Sequence, residues 1–242
     1  MVIVLYEKPL RMELSGHDLL VDGRPQPKTV RTLSEMVRVF MSHVEMEGLE
    51  DLAMYYMYRQ VYKRETTRFD ITVIPARQIG GECAKTYGHY HPRSEDGLAY
   101  PEIYQVLHGS CTFLLQKKNR NGSVDVSIIG AKEKDVVLMP PFYGHVSINS
   151  GKDDLVLSNL VYDRFESMYR EYETNRGAAY YYLKDGSLVQ NSNYLVEKSE
   201  RLGPAELNAR YGFQCQDLFT EFYSKPEKFA FLEKPSLLGK SQ

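Results

Sequence analysis

Between residues 68 and 162 the chain is cut into short apolar runs by Gly, Pro and Asn, and this punctuation admits few folds. The runs are Phe69 to Ile74, ended by Pro75, then Glu82 to His91, Glu102 to Leu107, Cys111 to Gln116, Val124 to Ile129, Val136 to Met139 and Leu155 to Val161. Each is too short for a buried helix and is rich in β-branched and aromatic residues, so each reads as a strand. Asn121-Gly122 is a turn signal, and His108-Gly109-Ser110 reads as a hairpin turn between the third and fourth runs. Many short strands joined in this way predict a mainly β protein, a sandwich or jelly-roll barrel. At 242 residues, one such domain can bury a full core.

The flanks are different. The first 30 residues carry Gly16, Gly23, Pro25 and Pro27 and read as an arm of short strands and turns with little core of its own. Thr32-Leu33-Ser34-Glu35 has the capping-box pattern, and Met36, Val37, Phe40 and Met41 follow at helical spacing, predicting a helix over about 33–43. The tyrosine-rich stretch 49–63 reads as a strand. Beyond 163, a helical turn near Met168–Tyr172, a strand at Tyr180–Leu183 and a helix starting at Pro204 are expected. The predicted layout is one domain over 1–190, its barrel at about 68–162. A mixed helical extension over 191–242 packs on the barrel or on a second subunit.

The formal charge of -2 and the lack of a basic block speak against nucleic acid or an anionic membrane as partner. The three cysteines, Cys83, Cys111 and Cys215, are odd in number and form no Cys-x-x-Cys pair, which favours a reducing compartment. No signal peptide and no long apolar run is visible, so a cytoplasmic protein is expected.

Chemistry concentrates in Gly88-His89-Tyr90-His91. Histidines at i and i+2 on a strand share a face, roughly 6 to 7 Å apart, a spacing that suits two ligands of one metal ion. Glu102 can add an oxygen from the next strand, and His145 follows Pro140 by five residues, with Asn149 four beyond it. His-x-His, a trailing Glu, a Gly seven residues later, then Pro-x4-His-x3-Asn resembles the two motifs of the cupin superfamily. Lys134 or Asp135 and Phe142 stand where that superfamily usually has Gly, and the His91–Glu102 gap is long. These departures fall at turns, not at ligands.

Within the cupins, Lys85-Thr86-Tyr87-Gly88-His89-Tyr90-His91 and Pro101-Glu102-Ile103-Tyr104 resemble the cupin-type phosphoglucose isomerases, as does Val30 to Met36. The resemblance spans about 28–185. It implies a jelly-roll barrel with one divalent metal per subunit (Fe, Mn, Ni or Zn) on His89, His91, Glu102 and His145. It also implies hydrogen transfer between C1 and C2 of glucose 6-phosphate, either through an enediol with Glu102 as the candidate base or by a metal-assisted hydride shift, and phosphate contacts from Thr72, Thr86 and the Gly88 amide. Tyr104 and Tyr162 become sugar contacts by their positions, and a homodimer is expected, as cupins often pair through exchanged arms. Two rival readings are a cupin dioxygenase with the same metal centre and a non-catalytic sugar-phosphate-binding cupin. Lys85 adjoins the phosphate row, but strand alternation points it the other way. His17, His43 and His108 lack partners at ligand spacing, Cys83 has no nucleophile pattern, and Gly80-Gly81 is a turn, not a phosphate loop.

Overall fold

The computed structural model describes residues 2–41 and 47–239. Strands β1 (Val2–Tyr6), β2 (Met12–Ser15), β3 (Asp18–Val21) and β4 (Arg24–Pro25) form an antiparallel N-terminal sheet. After β5 (Thr29–Thr32) comes α1 (Leu33–Met36), capped by a hydrogen bond from Thr32 N–H to the Glu35 carboxylate at 2.8 Å. A 3-10 turn over Val37–Val39 follows, so the described part of the expected helix is shorter than the sequence pattern, and residues 42 and 43 of it lie outside the described residues.

The barrel proper follows. It begins with β6 (Ala53–Arg64), β7 (Thr67–Ile74), the small hairpin of β8 (Gln78–Ile79) and β9 (Glu82–Cys83), β10 (Glu102–His108) and β11 (Ser110–Lys118). It continues through β12 (Val124–Lys132), β13 (Val136–Met139), β14 (Tyr143–Asn149) and β15 (Leu155–Tyr162). Two sheets result, ordered β13-β10-β15-β7-β6-β5 and β14-β11-β12, and their facing apolar residues make one core, among them Val106, Met139 and Leu157 against Phe113, Leu115 and Ile129. This is the mainly β jelly-roll expected of a cupin. Strand β14, which carries His145, was not anticipated as a strand. Its alternation is masked by polar residues at His145, Ser147 and Asn149, all of which are buried.

One predicted hairpin is absent. β10 pairs with β13 and β15, whereas β11 pairs with β12 and β14, so His108-Gly109-Ser110 carries the chain between sheets. Gly109 has φ +83°, and a Cβ there would lie 2.9 Å from the Asp154 carbonyl, which explains the glycine without a hairpin. The expected strand over 82–91 is also broken: only Glu82–Cys83 is a strand, followed by isolated bridges at Lys85, His89 and Tyr90. Lys134 and Phe142, the two positions where glycine is usual in cupins, take φ +76° and +73°. The turn geometry is kept and the strain of a side chain in the left-handed region is accepted.

The outer face of the six-stranded sheet is apolar. Phe69, Ile71 and Val73 of β7, Ile103 of β10 and Leu160 of β15 point outward, their strand neighbours inward. Two flanks cover that face. The N-terminal sheet supplies Tyr6, Met12, Leu14 and Leu19, all buried against the barrel and not in a core of their own. These apolar residues are few and separated by turns, and they find partners on the six-stranded sheet and on the C-terminal cover.

From the other end come β16 (Tyr180–Tyr182) and β17 (Leu188–Gln190), a two-stranded ribbon preceded by α2 (Arg170–Thr174), and then β18 (Val196–Leu202), which adds in parallel to β12. Helices α3 (Pro204–Arg210) and α4 (Leu218–Ser224) follow, with 3-10 turns after them. Phe219, Phe222, Phe229 and Leu232 bury against the outer face, with Phe219 tilted 4.7 Å from Phe69. Gln105 joins both covers: its side-chain oxygen accepts from Tyr6 Oη at 3.1 Å and from Leu218 N at 2.9 Å.

Truncating Phe219 to Ala should therefore cost about 3 to 5 kcal/mol of stability, lowering the melting temperature by roughly 2–4 °C per kcal/mol in a protein of this size. Thermal unfolding by circular dichroism measures this. An unchanged melting temperature would show that the C-terminal cover contributes nothing to the barrel.

Candidate metal centre

Inward positions of the six-stranded sheet line a cavity. β7 offers Arg68, Asp70 and Thr72, β15 offers Asn159 and Val161, β10 offers Glu102 and Tyr104, and β6 offers Tyr55, Met57 and Arg59. Thr86, Tyr87, His89 and His91 close it from the segment before β10, and Phe165, Ser167 and Tyr169 from the segment after β15. Of these, the sequence pointed to Thr72, Thr86, Tyr104 and the ligand set. It missed Arg59, Arg68, Asp70 and Asn159, though period-two spacing from Thr72 along β7 picks out the middle pair.

His89, His91, Glu102 and His145 meet at one point: one ligand atom from each lies within 4.8 Å of the others. The Nε2 atoms of His89 and His91 are 3.0 Å apart. Glu102 Oε2 lies 3.0 Å from His145 Nε2, 3.5 Å from His91 Nε2 and 3.8 Å from His89 Nε2. His89 and His145 are positioned by mutual backbone hydrogen bonds, His145 N–H to His89 O at 3.0 Å and the reverse at 3.3 Å. The pair thus converges through a bridge to β14, not through a long strand of its own.

The donor set fits a metal ion. His91 Nδ1 lies 2.9 Å from the Tyr100 carbonyl, which can only accept, so the proton is on Nδ1 and the Nε2 lone pair faces the cluster. Glu102 Oε2 and His145 Nε2 are buried without a hydrogen-bond partner, and a buried acceptor left unmade is costly. Asn159 Nδ2 donates to Glu102 Oε1 at 2.7 Å, fixing the carboxylate so that Oε2 turns to the imidazoles. Burial lowers His89 to about 4 and His91 to about 3, so both are neutral and able to ligate at pH 7. Burial by itself raises Glu102, but the His145 and His89 imidazoles beside it outweigh this and hold the carboxyl well below its usual range. Three imidazoles and a carboxylate suit divalent iron, manganese, nickel or zinc.

Other sequence-predicted residues separate. Thr72 and Thr86 line the cavity, and Thr86 Oγ1 accepts from Ser147 N at 3.0 Å. Gly88 does not line it: φ is +85°, which breaks strand alternation, and a Cβ would strike the Tyr172 ring at 2.5 Å, so its glycine serves close packing. Tyr104 lines the cavity, and burial, then the Glu102 charge, hold its phenol protonated far above its ordinary range. Tyr162 does not line it. It follows inward-facing Val161, so alternation turns it away, and it stacks 4.9 Å from Tyr100 instead.

Lys85 also points away, buried in an ion pair with Glu82 and donating to the Val39 carbonyl at 2.7 Å. His17 pairs with Asp154 at 2.9 Å and His108 with Glu133 at 3.0 Å, while His43 lies outside the described residues. Cys83 is buried and burial raises its thiol, which does not suit a nucleophile. Gly80-Gly81 turns the β8–β9 hairpin.

A jelly-roll barrel with three imidazoles and one carboxylate converging on its inner face defines a cupin metal centre. A family model described as glucose-6-phosphate isomerase (GPI) matches residues 28–197, most of the chain, which therefore belongs to the glucose-6-phosphate isomerase family. The chain is 27% identical over 157 residues to the glucose-6-phosphate isomerase of Pyrococcus abyssi, a match covering 63% of this chain and 78% of that one. It is 28% identical over 155 residues to the glucose-6-phosphate isomerase of Thermococcus gammatolerans, covering 62% and 77%. Among solved structures it resembles a cupin 2 conserved barrel domain protein from Rhodopseudomonas palustris, with a TM-score of 0.34 and 12% identity over 46% of this chain and 63% of that one.

His89→Ala or His145→Ala should abolish stoichiometric metal binding, read by elemental analysis after dialysis against the metal. Acid should also unfold the metal-free protein early. Both cavity-facing histidines of the His-x-His pair have folded values below their ordinary 6.5, so between about 4 and 6.5 the unfolded chain holds more protons. Stability should be greatest above pH 6.5 and fall as pH drops toward 4. Depression of Glu102 acts in the same sense at lower pH. A urea midpoint that is flat from pH 7 to pH 4 would contradict this.

Proposed function

We infer that this chain interconverts glucose 6-phosphate and fructose 6-phosphate and requires a divalent metal held by His89, His91, Glu102 and His145. The observation that carries the reading is the convergence of these four donors beside a cavity whose other walls include Arg59, Asp70, Thr72, Thr86 and Asn159, within a chain of the glucose-6-phosphate isomerase family. When bound, the metal would supply Lewis-acid polarisation of adjacent sugar oxygens.

The chain's own residues do the rest. The reaction moves one hydrogen between C1 and C2, and Glu102 is the proposed proton carrier. Its depressed proton affinity makes it a weak base as it stands, and with Oε1 held by Asn159 and Oε2 turned to the imidazoles, the carboxylate must loosen or turn to accept a proton. Thr72 and Thr86 are the proposed phosphate donors, and Tyr104 a sugar-hydroxyl donor, kept protonated over the whole working range. The cavity's hydroxyls, amide and guanidiniums favour a hydroxylated anion over an apolar dioxygenase substrate. No helix among the described residues is long and apolar enough to cross a membrane. A cytoplasmic setting and a homodimer complete the reading, the dimer to be tested by light scattering.

A coupled assay of fructose 6-phosphate conversion tests the proposal, and no turnover with any of the four metals would defeat it. Glu102→Gln should keep sugar-phosphate binding while turnover falls roughly 100-fold or more, the scale of a lost general base. Thr86→Ala should instead weaken binding by about 1.5 to 3 kcal/mol, the cost of a hydrogen bond to a charged group, leaving turnover at saturation nearly intact. Near-normal turnover by Glu102→Gln would remove this residue as the base.

A further inference from the structure

Cross-strand register sorts the cavity wall into levels. Thr72 lies opposite Met57 and Leu157, Asp70 opposite Asn159, which faces Tyr104, and Arg68 opposite Val161, which faces Glu102. The Asp70 and Arg68 levels are thus those of the metal ligand Glu102 and its partner Asn159. Thr72 is two residues further along, roughly 7 Å at the usual strand rise. A hexose phosphate with its phosphate at the threonines brings its C1 and C2 to the level of Asp70.

At that level the sheet is built irregularly. β6 sets Arg59, Gln60 and Val61 opposite the single Asp70, and Gln60 adopts φ +56°. Asp70 Oδ1 accepts from the Gln60 amide at 2.8 Å, which holds the bulge, and bulges of this kind re-aim a side chain. Asp70 Oδ2 takes Arg68 Nε at 2.8 Å, so Arg68 is committed and mostly buried. Arg59 Nη1 stands 3.8 Å from the same oxygen and Nη2 donates weakly to Met57 Sδ at 3.5 Å, and its side chain, 46% exposed, lines the cavity with donors to spare. Two guanidiniums, Arg59 and Arg68, offset the two carboxylates, Asp70 and Glu102, at the reacting end, in addition to whatever the metal provides. Among the cavity-lining residues, guanidiniums stand only at this end.

We propose that Arg59 is a catalytic residue, contacting the substrate oxygens on C1 and C2 and stabilising the negative charge that develops there. This rests on the isomerase reading. As the C2 proton passes to the base, its electron pair forms the C1=C2 bond and the carbonyl electrons move to the C1 oxygen. Return of the proton to C1 and transfer of the C2 hydroxyl proton to the C1 oxygen then give the ketose, with no oxidant or reductant needed. A guanidinium beside those oxygens stabilises the charged species more than the neutral sugar, so its effect falls on turnover.

The test compares two ligands of metal-loaded protein by calorimetry. One is a five-carbon aldonate 5-phosphate, whose carboxylate mimics the charged intermediate. The other is glucitol 6-phosphate, neutral at C1 and C2. Arg59→Ala should weaken the aldonate about 10-fold or more, or 1.4 kcal/mol, and leave glucitol 6-phosphate within about 2-fold. Turnover should fall roughly 100-fold with little change in KM, and Arg59→Lys should recover part of both losses. Equal weakening of both ligands would assign Arg59 to the phosphate and overturn the proposal, as would no change in either. Wild-type protein that discriminates the ligands through Arg59 yet turns over no sugar phosphate would refute the isomerase reading alone. Failure of wild type to bind either ligand would overturn both.

Discussion

The six-stranded sheet is covered on both faces, and almost everything else follows from that. Because side chains alternate, each strand had to carry an apolar set for one face and a functional set for the other. β7 shows it most plainly, with Phe69, Ile71 and Val73 under the flanking elements and Arg68, Asp70 and Thr72 in the cavity. A shift of one residue in register would expose the first set and bury the second without partners. The cavity wall is therefore as fixed as the core behind it.

That outer cover explains why both ends of the chain are needed by a site neither one touches. Gln105 is one residue from Tyr104 and three from Glu102, and its side chain binds both flanks, Tyr6 from the N-terminal sheet and Leu218 at the start of α4. A buried amide with several partners specifies one arrangement more sharply than apolar contact does. The strand that carries the carboxylate ligand is thereby held from behind.

In the centre itself, orientation depends on groups that are not ligands. The Tyr100 carbonyl selects the His91 tautomer, Asn159 turns the Glu102 carboxylate, and the backbone bridge between His89 and His145 sets two imidazoles 4.5 Å apart, centroid to centroid. These supports come from three different parts of the chain. They convert four flexible side chains into a donor set with little freedom left to lose on binding, which is how a site is preorganised.

What the sequence by itself determined is the β class, most strand positions, and the four convergent donors, because punctuation, alternation and ligand spacing are local properties. Thr72 and Thr86 were legible only through the family resemblance, and Tyr104 through its place two residues after Glu102 on one strand face. Tertiary structure decided what depends on pairing. It placed His108-Gly109-Ser110 between sheets, packed the N-terminal segment against the six-stranded sheet, turned Tyr162 outward and removed Gly88 from the cavity wall. It also brought Arg59 and Asp70, on neighbouring strands, into one cluster with Asn159 and Glu102. No local pattern encodes a bulge opposite a single residue or the partner of a strand, since both arise from contacts between segments far apart in the chain.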